Sequence, residues 1–454
     1  MKARILINFI LIFIIIEFSG CNRSKNIENK TTLTESGNNS KIKLKWLAQW
    51  YGEGKKETLL NEIAREFSLL HQNIEIDMEF PHQMAKIAPE DPSTSAYTID
   101  TIVNMALKNE WPYDFMLCDA YIYESVGKKL NDFEWGNKFL VNFKVESWYM
   151  QAHKDNFFSS NTYTEVYRGL APGTYIEGVW NILYLSSEVE NRLGLKVKKI
   201  NMNLTDFTTY AKTVYEYNLN HTDKITFFTY PWDYVVKFFN HIAMSSLGKD
   251  HADNREEAIE SLKKIYQAVE KLSIYKPLEQ YVINKNERDF HYDKTLFIYY
   301  PSWINMFWQK SNPAGEKLMH PCEIPSLNDK KSTSYSGSYN SVFVVPKNAK
   351  NRKEAELLMR FISSPETADK WIKYSKCPTG LKNRISYSDF GTDEYAKFSN
   401  HIKQKYQDRL LMVNLNETFF NTTKAIDFHV VALMKGEMSA DEALNSVLKQ
   451  INSE

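Results

Sequence analysis

From Lys41 onward the chain alternates segments of period two with segments of helical period, and this alternation limits the fold more than any other property of the sequence. Leu44-Lys45-Trp46-Leu47 is a short strand-like run. Gly52 and Gly54 then mark a loop, and Glu57 to His71 carries Leu60, Ile63, Ala64, Phe67 and Leu70 at helical spacing. Ile74 to Met78 alternates as a strand, Thr98 to Lys108 reads as a helix, and Tyr113 to Cys118 as a buried strand. A βαβαβ order of this kind predicts a parallel sheet with helices on its faces. A second set follows, with a strand over Tyr175 to Leu185, a helix over Asp206 to Tyr217 after a possible cap at Thr205, and a strand over Ile225 to Thr229. Helices over Trp232 to Ser246 and Arg255 to Lys271 then lead to a strand over Leu296 to Tyr300. Late in the chain Ser341 to Val345 reads as a strand and Arg352 to Ile362 as a helix. Ser364-Pro365 signs another helix start, and Ser439 to Glu442 matches a capping box. No repeat of solenoid period is present.

The first segment sets the compartment. Lys2 and Arg4 precede an apolar stretch from Ile5 to Ile16, and Ser19 and Gly20 stand before Cys21, which is the architecture of a secretory signal. Twelve residues are too few to cross about 30 Å of hydrocarbon as a helix. Phe18-Ser19-Gly20-Cys21 resembles the bacterial lipobox, whose cysteine is diacylated and becomes the new N-terminus; Phe18 departs from the aliphatic residue usual at its position. Residues 22–40 are polar, with Ile27 and Leu33 their only large apolar side chains, and read as a tether.

With Cys21 set aside, Cys118, Cys322 and Cys377 are an odd number, so at least one thiol stays free. No CxxC, His-rich tract or HExxH is present, so no metal or cofactor site is expected. Cys118, in the run Phe115-Met116-Leu117-Cys118, reads as a buried small hydrophobe. Lys+Arg and Asp+Glu number 56 each, with no long basic run, which argues against nucleic acid as a partner. The aromatic share is 14%, enough to fill a core and leave rings for a ligand site.

Several fragments come in an order met elsewhere: Trp50-Tyr51 after the first strand, a helix opening near Lys56, Tyr113 to Asp119, Gly178-Val179-Trp180-Asn181 and Tyr300-Pro301-Ser302-Trp303. Tyr339 to Pro346, Glu356 to Glu366 and Met434 to Leu444 follow. In this order and spacing the chain resembles the extracellular solute-binding proteins, family 1, of sugar ABC transporters, a maltose-binding-protein-like group. The likeness spans nearly all of the chain after the signal. Ser336-Gly337-Ser338-Tyr339 departs from the small Gly-rich stretch common there, and its tyrosine could reshape the cleft.

The resemblance implies an α/β, two-lobed periplasmic-binding-protein-like fold, with discontinuous lobes and a hinge of several crossing segments. The signal would be residues 1–20 and the tether 21–40. The N-lobe would take 41–178 and 338–400, the C-lobe 179–337 and 401–454. Crossings are expected near Gly178 to Leu185, Ser334 to Tyr339 and Ser388 to Leu411. Ligands of open α/β sheets sit outside the carboxyl ends of strands, where Trp50, Tyr51, Asp119, Tyr121, Trp232 and Trp303 fall. A sugar offers apolar C–H faces ringed by hydroxyls, which suits aromatic plates beside carboxylates. The expected ligand residues are Trp50, Asp119, Trp180, Trp232, Trp303 and Tyr339; for each Trp the alternative is packing, and for Asp119 a helix N-cap. Glu53 and Glu177 are weaker candidates. Cys21 is the expected lipidation site.

The implied function is capture of a sugar in the interlobe cleft by a monomeric, lipid-anchored protein outside the cytoplasm (periplasm or cell surface), and delivery to ABC transporter permease subunits. An exported carbohydrate-active enzyme is the rival reading, although no nucleophile elbow, P-loop or GxGxxG is present. A third is a binding protein serving a membrane sensor kinase. Arg supplies only 11 of the 56 basic residues, which leans toward neutral sugars.

Overall fold

The computed structural model describes residues 41–50, 54–86, 93–153, 167–229, 238–239, 241–242, 255–275, 292–305, 308, 313–327, 335–375, 377–381, 393–406, 410–412 and 429–453. Residues 1–40, with Cys21 and the expected tether, lie outside the described residues. The rest is a mixed α/β body of the two-lobed kind. Its strands are β1 (Ile42–Leu47), β2 (Ile74–Glu79), β3 (Phe115–Leu117), β4 (Tyr175–Ser186), β5 (Thr226–Thr229), β6 (Thr295–Pro301), β7 (Met319–Cys322), β8 (Tyr335–Val344) and β9 (Leu410–Met412). The longer helices are α1 (Lys55–Leu70), α2 (Ser93–Lys108), α3 (Ala120–Leu130), α4 (Leu204–Asn220), α5 (Arg255–Ser273), α6 (Arg352–Ile362), α7 (Pro365–Ser375), α8 (Glu394–Tyr406) and α9 (Ala440–Ser453).

Among the described residues the strands run in the order β2-β1-β3-β8-β4-β6-β5, with β7 on β4 and β9 on β8. As the βαβαβ pattern predicts, β1 is parallel to both β2 and β3. Beyond them the sheet is mixed: β8 returns late in the chain to lie antiparallel between β3 and β4, and β4 is antiparallel to β6 and β7, while β5 runs parallel to β6 and β9 parallel to β8. β4 joins the two halves. Its first part pairs with β8 from Tyr175 to Trp180, and its second part pairs with β6 and β7 from Asn181 to Ser186. All twelve of its residues are buried, as a strand covered on both faces requires.

Each half has its own core. Leu44, Trp46, Leu59, Phe67, Phe343 and Trp371 gather around β1, while Leu183, Phe207, Phe228, Phe238, Ile265 and Phe297 gather around β5 and β6. A third cluster, including Trp180, Tyr184, Tyr300 and Tyr335, spans the junction. Gly178 sits where β4 changes register, and a Cβ there would stand 3.1 Å from the Pro378 carbonyl oxygen, which accepts the Gly178 N–H at 2.9 Å. The backbone approach therefore needs glycine.

The helix boundaries follow their caps. Asn203, rather than Thr205, caps α4, in a reciprocal box with Asp206. Ser364 Oγ accepts from Thr367 N–H, and Ser439 and Glu442 exchange hydrogen bonds at the start of α9. The three cysteines are unpaired and buried. Among the described residues no helix is long and apolar enough to cross a membrane.

α8 is fastened to the β7 region by a buried carboxylate. Glu323 accepts from His401 Nε2 at 2.7 Å, Lys405 Nζ at 2.8 Å and the Asn201 N–H at 2.9 Å. Burial alone would favour its neutral form, but the Lys405 ammonium, the Asn201 N–H and the His401 ring together hold the carboxyl below its ordinary range. A depressed carboxyl pKa adds stability above the unfolded-state value of about 4.3 and loses it as pH falls through the folded value. Glu323→Gln should therefore cost about 1–3 kcal/mol at pH 7 in urea denaturation. The difference from wild type should shrink at pH 3.5, and a pH-independent difference would show that charge at Glu323 is immaterial.

Candidate functional site

Side chains with ligand-binding chemistry converge where the two halves of the sheet meet, at the carboxyl ends of β1, β3 and β6. Trp50 follows β1 with φ 69°, a left-handed conformation that costs a bulky residue and marks a position held by its surroundings. Its indole lies 5.6 Å from Trp371 and 6.0 Å from Phe343, and is 8% exposed. Trp303 follows β6 and is partly exposed, its ring set edge-on to Tyr300 at 4.9 Å.

Between the two indoles stands the Lys56 ammonium, 5.1 Å from the Trp50 ring and 6.0 Å from the Trp303 ring. Lys56 belongs to the core-facing stripe of α1, in line with Leu59, Leu60, Ile63 and Phe67. It forms an ion pair with Glu177 of β4 at 2.6 Å, and the two side chains are only 4% and 2% exposed. A buried cation in the first turn of a helix is opposed by both desolvation and the helix dipole, so the Glu177 partner and the indole faces are what make it tolerable.

Asp119 follows β3 and caps α3, its Oδ1 accepting the Ile122 N–H at 2.7 Å. Burial raises its carboxyl to about 6, assisted by the Glu177 charge and opposed by the backbone N–H groups of Ile122 and Tyr121. Its side chain keeps partial exposure, and Tyr121 beside it is 65% exposed.

The backbone behind Trp303 is fixed by Ser302. The Ser302 N–H donates to the Trp180 carbonyl at 2.7 Å, and the Trp180 N–H donates to Ser302 Oγ at 3.0 Å. Trp180 shares β4 with Glu177, but its indole is fully buried in the junction core, 6.2 Å from Tyr335. Tyr339 lies in β8 opposite Gly178. Trp232 lies outside the described residues. The structure thus brings Trp50, Trp303 and the Asp119 carboxylate around the Lys56–Glu177 pair, and puts the Trp180 ring elsewhere.

Sequence reasoning left Lys56 unassigned and ranked Glu177 low. The signal for both was present: a lysine on an otherwise apolar helical stripe, and a lone carboxylate inside the buried run Tyr175-Ile176-Glu177-Gly178-Val179-Trp180. Two opposite charges at apolar positions are cheapest when they meet.

Comparison with known proteins decides the family. The model for bacterial extracellular solute-binding proteins matches residues 170–397. The chain belongs to that family. The match runs from the segment before β4 to the start of α8, so it includes Glu177, Ser302 and Trp303. No curated protein sequence matches the chain. Among solved structures, maltose-bound MalE3 of T. maritima is 15% identical with a TM-score of 0.60, over 90% of this chain and 99% of that one. The GacH receptor of Streptomyces glaucescens, solved unliganded and with acarbose, is 11% identical with a TM-score of 0.60, over 91% and 98%. Apo RafE of Streptococcus pneumoniae is 13% identical with a TM-score of 0.57, over 91% and 97%. At these identities the likeness establishes the fold.

Proposed function

We propose that this solute-binding protein captures a neutral sugar or oligosaccharide between its lobes, with Trp50 and Trp303 as stacking plates and Asp119 as a hydroxyl acceptor. The observation that carries the reading is the placement of two indoles, one from each half of the sheet, against a single buried ion pair at strand carboxyl ends. Aromatic faces match the C–H faces of a sugar, and a carboxylate accepting from hydroxyls makes charge-assisted bonds of about 1.5–3 kcal/mol. Tyr339, in the crossing strand β8, and Trp232 belong to the set expected from sequence, whereas the indole of Trp180, expected with them, is fully buried in the junction core. The names of the similar structures support a sugar, since one is maltose-bound and another was solved with acarbose.

The lobes take residues 41–178 with 338–400 and 179–337 with 401–454 in this reading. β4, β8 and α8 act as the crossings about which the lobes close. Closure follows only from a ligand that touches both lobes, which Trp50 and Trp303 arrange. The signal-like N-terminus and Cys21 support a diacylated anchor outside the cytoplasm, and family membership supports delivery to an ABC transporter permease by a monomeric carrier. The binding-protein character of the similar structures speaks against the enzyme reading.

The test is a thermal-shift screen with maltose, maltotriose, raffinose, xylobiose and their uronate counterparts. A sugar at 100 times its dissociation constant adds about 2.7 kcal/mol of stability, and a neutral sugar is expected to give that shift. Stabilisation by uronates alone would reverse the assignment of a neutral ligand. Turnover of any of these sugars would replace the carrier with an enzyme.

A further inference from the structure

Between α4 and α5 runs a trough of about 170 Å³ that shares no residue with the candidate site. α4 turns Phe207, Ala211 and Val214 into the core around β5 and β6, and its outward face, with Thr208, Thr209 and Lys212, forms one wall. α5 supplies the other wall with Lys264, Gln267, Ala268 and Lys271. The seam residues are short, threonines against an alanine, which leaves the space open. The lining holds three lysines and no Asp or Glu, in a chain whose 56 basic and 56 acidic residues balance. Among the described residues, Lys212 and Lys264 pair only along their own helices, with Glu216 at 3.6 Å and Glu260 at 3.8 Å. These are loose contacts between well-exposed side chains. Lys271 makes no ion pair among the described residues, and the neighbouring Glu270 accepts the Ala440 N–H at the start of α9. The Thr208 and Thr209 hydroxyls donate to the Leu204 and Thr205 carbonyls of their own helix at 2.8 and 2.9 Å. The donors left for a ligand are therefore the three ammonium groups, the Gln267 amide and the hydroxyl of Tyr275.

We propose that this trough is a second binding site, for a phosphate-bearing anion. No arginine lines it, so the planar fork that grips a carboxylate with two parallel bonds is missing. Separate ammonium groups come instead from both walls, Lys212 from α4 and Lys264 and Lys271 from α5, and point charges on flexible stems suit the tetrahedral spread of phosphate oxygens. A soluble phosphate ester and the headgroup of an anionic phospholipid offer this same chemistry. The site is independent of the sugar reading of the cleft.

Phosphorus NMR titrations of the full chain with glycerol phosphate, and with short-chain phosphatidylglycerol below its micelle concentration, test the site. They are run at about 0.15 M salt, which screens exposed charges beyond roughly 8 Å. Saturable binding of both probes upholds a site for the phosphate itself, and binding of the lipid alone upholds one for the headgroup. Lys212→Gln, Lys264→Gln and Lys271→Gln should each weaken the binding about 2–5-fold, and together about tenfold or more, in protein that stays folded. Glu216→Gln with Glu260→Gln should tighten it by releasing Lys212 and Lys264. Lys128→Gln, Lys129→Gln and Lys138→Gln, at exposed positions on and just after α3, make the same change in net charge and should leave the affinity as it is. Trp303→Ala in the cleft should leave it unchanged as well. No saturable binding of either probe, or equal weakening by the two lysine triples, would overturn the proposal.

Discussion

Lys56→Met should destabilise the folded protein by about 3–5 kcal/mol, because it leaves the Glu177 carboxylate buried without its cation. The pair is closed at 2.6 Å and both side chains are almost wholly screened from water, so little solvent enters to compensate the lone charge. The double variant Lys56→Met with Glu177→Leu should recover most of that loss, since a matched apolar pair carries no desolvation cost. Urea denaturation of the two variants beside wild type gives the answer. If Lys56→Met were within about 0.5 kcal/mol of wild type, the range of an ordinary surface substitution, the ion pair would be an exposed one in solution.

Trp180→Ala should cost about 3–5 kcal/mol of folding stability, the usual consequence of removing an indole from a packed core. The sequence offers Trp180 as a cleft residue, since it lies in a fragment shared with sugar-binding proteins. In the fold its backbone serves the junction, through Ser302, while its ring fills the space against Tyr335 at 6.2 Å with no exposed surface. A folded Trp180→Ala protein of normal stability that no longer bound sugar would put the ring in the ligand site after all.

How much of this was legible beforehand differs between fold and site. The βαβαβ start, the long buried strand at Tyr175 and the caps at Ser364 and Ser439 were readable because each is set by residues close in sequence. Strand β7 escaped notice, since Met319-His320-Pro321-Cys322 has neither alternation nor length, and it exists only because β4 supplies its partner. α8 escaped as well; its docking depends on Glu323, about eighty residues earlier in the chain. In the site, the tryptophans were visible as candidates, but which rings face outward is a matter of tertiary packing: Trp180 and Trp303 look alike in sequence, and only Trp303 keeps exposed surface. Asp119 shows both of its expected roles to be compatible, for one carboxylate oxygen caps α3 while the side chain remains partly exposed.

The central claim, that a sugar is held between the indoles of the two lobes, is tested most directly by calorimetric titration of the best sugar from the screen into wild-type and Trp303→Ala protein. The expected result is saturable binding of one sugar per chain by wild type, weakened by about 1–3 kcal/mol in the variant while its apo stability is unchanged. Equal affinity in the two proteins, or no heat of binding from any neutral sugar, would contradict it.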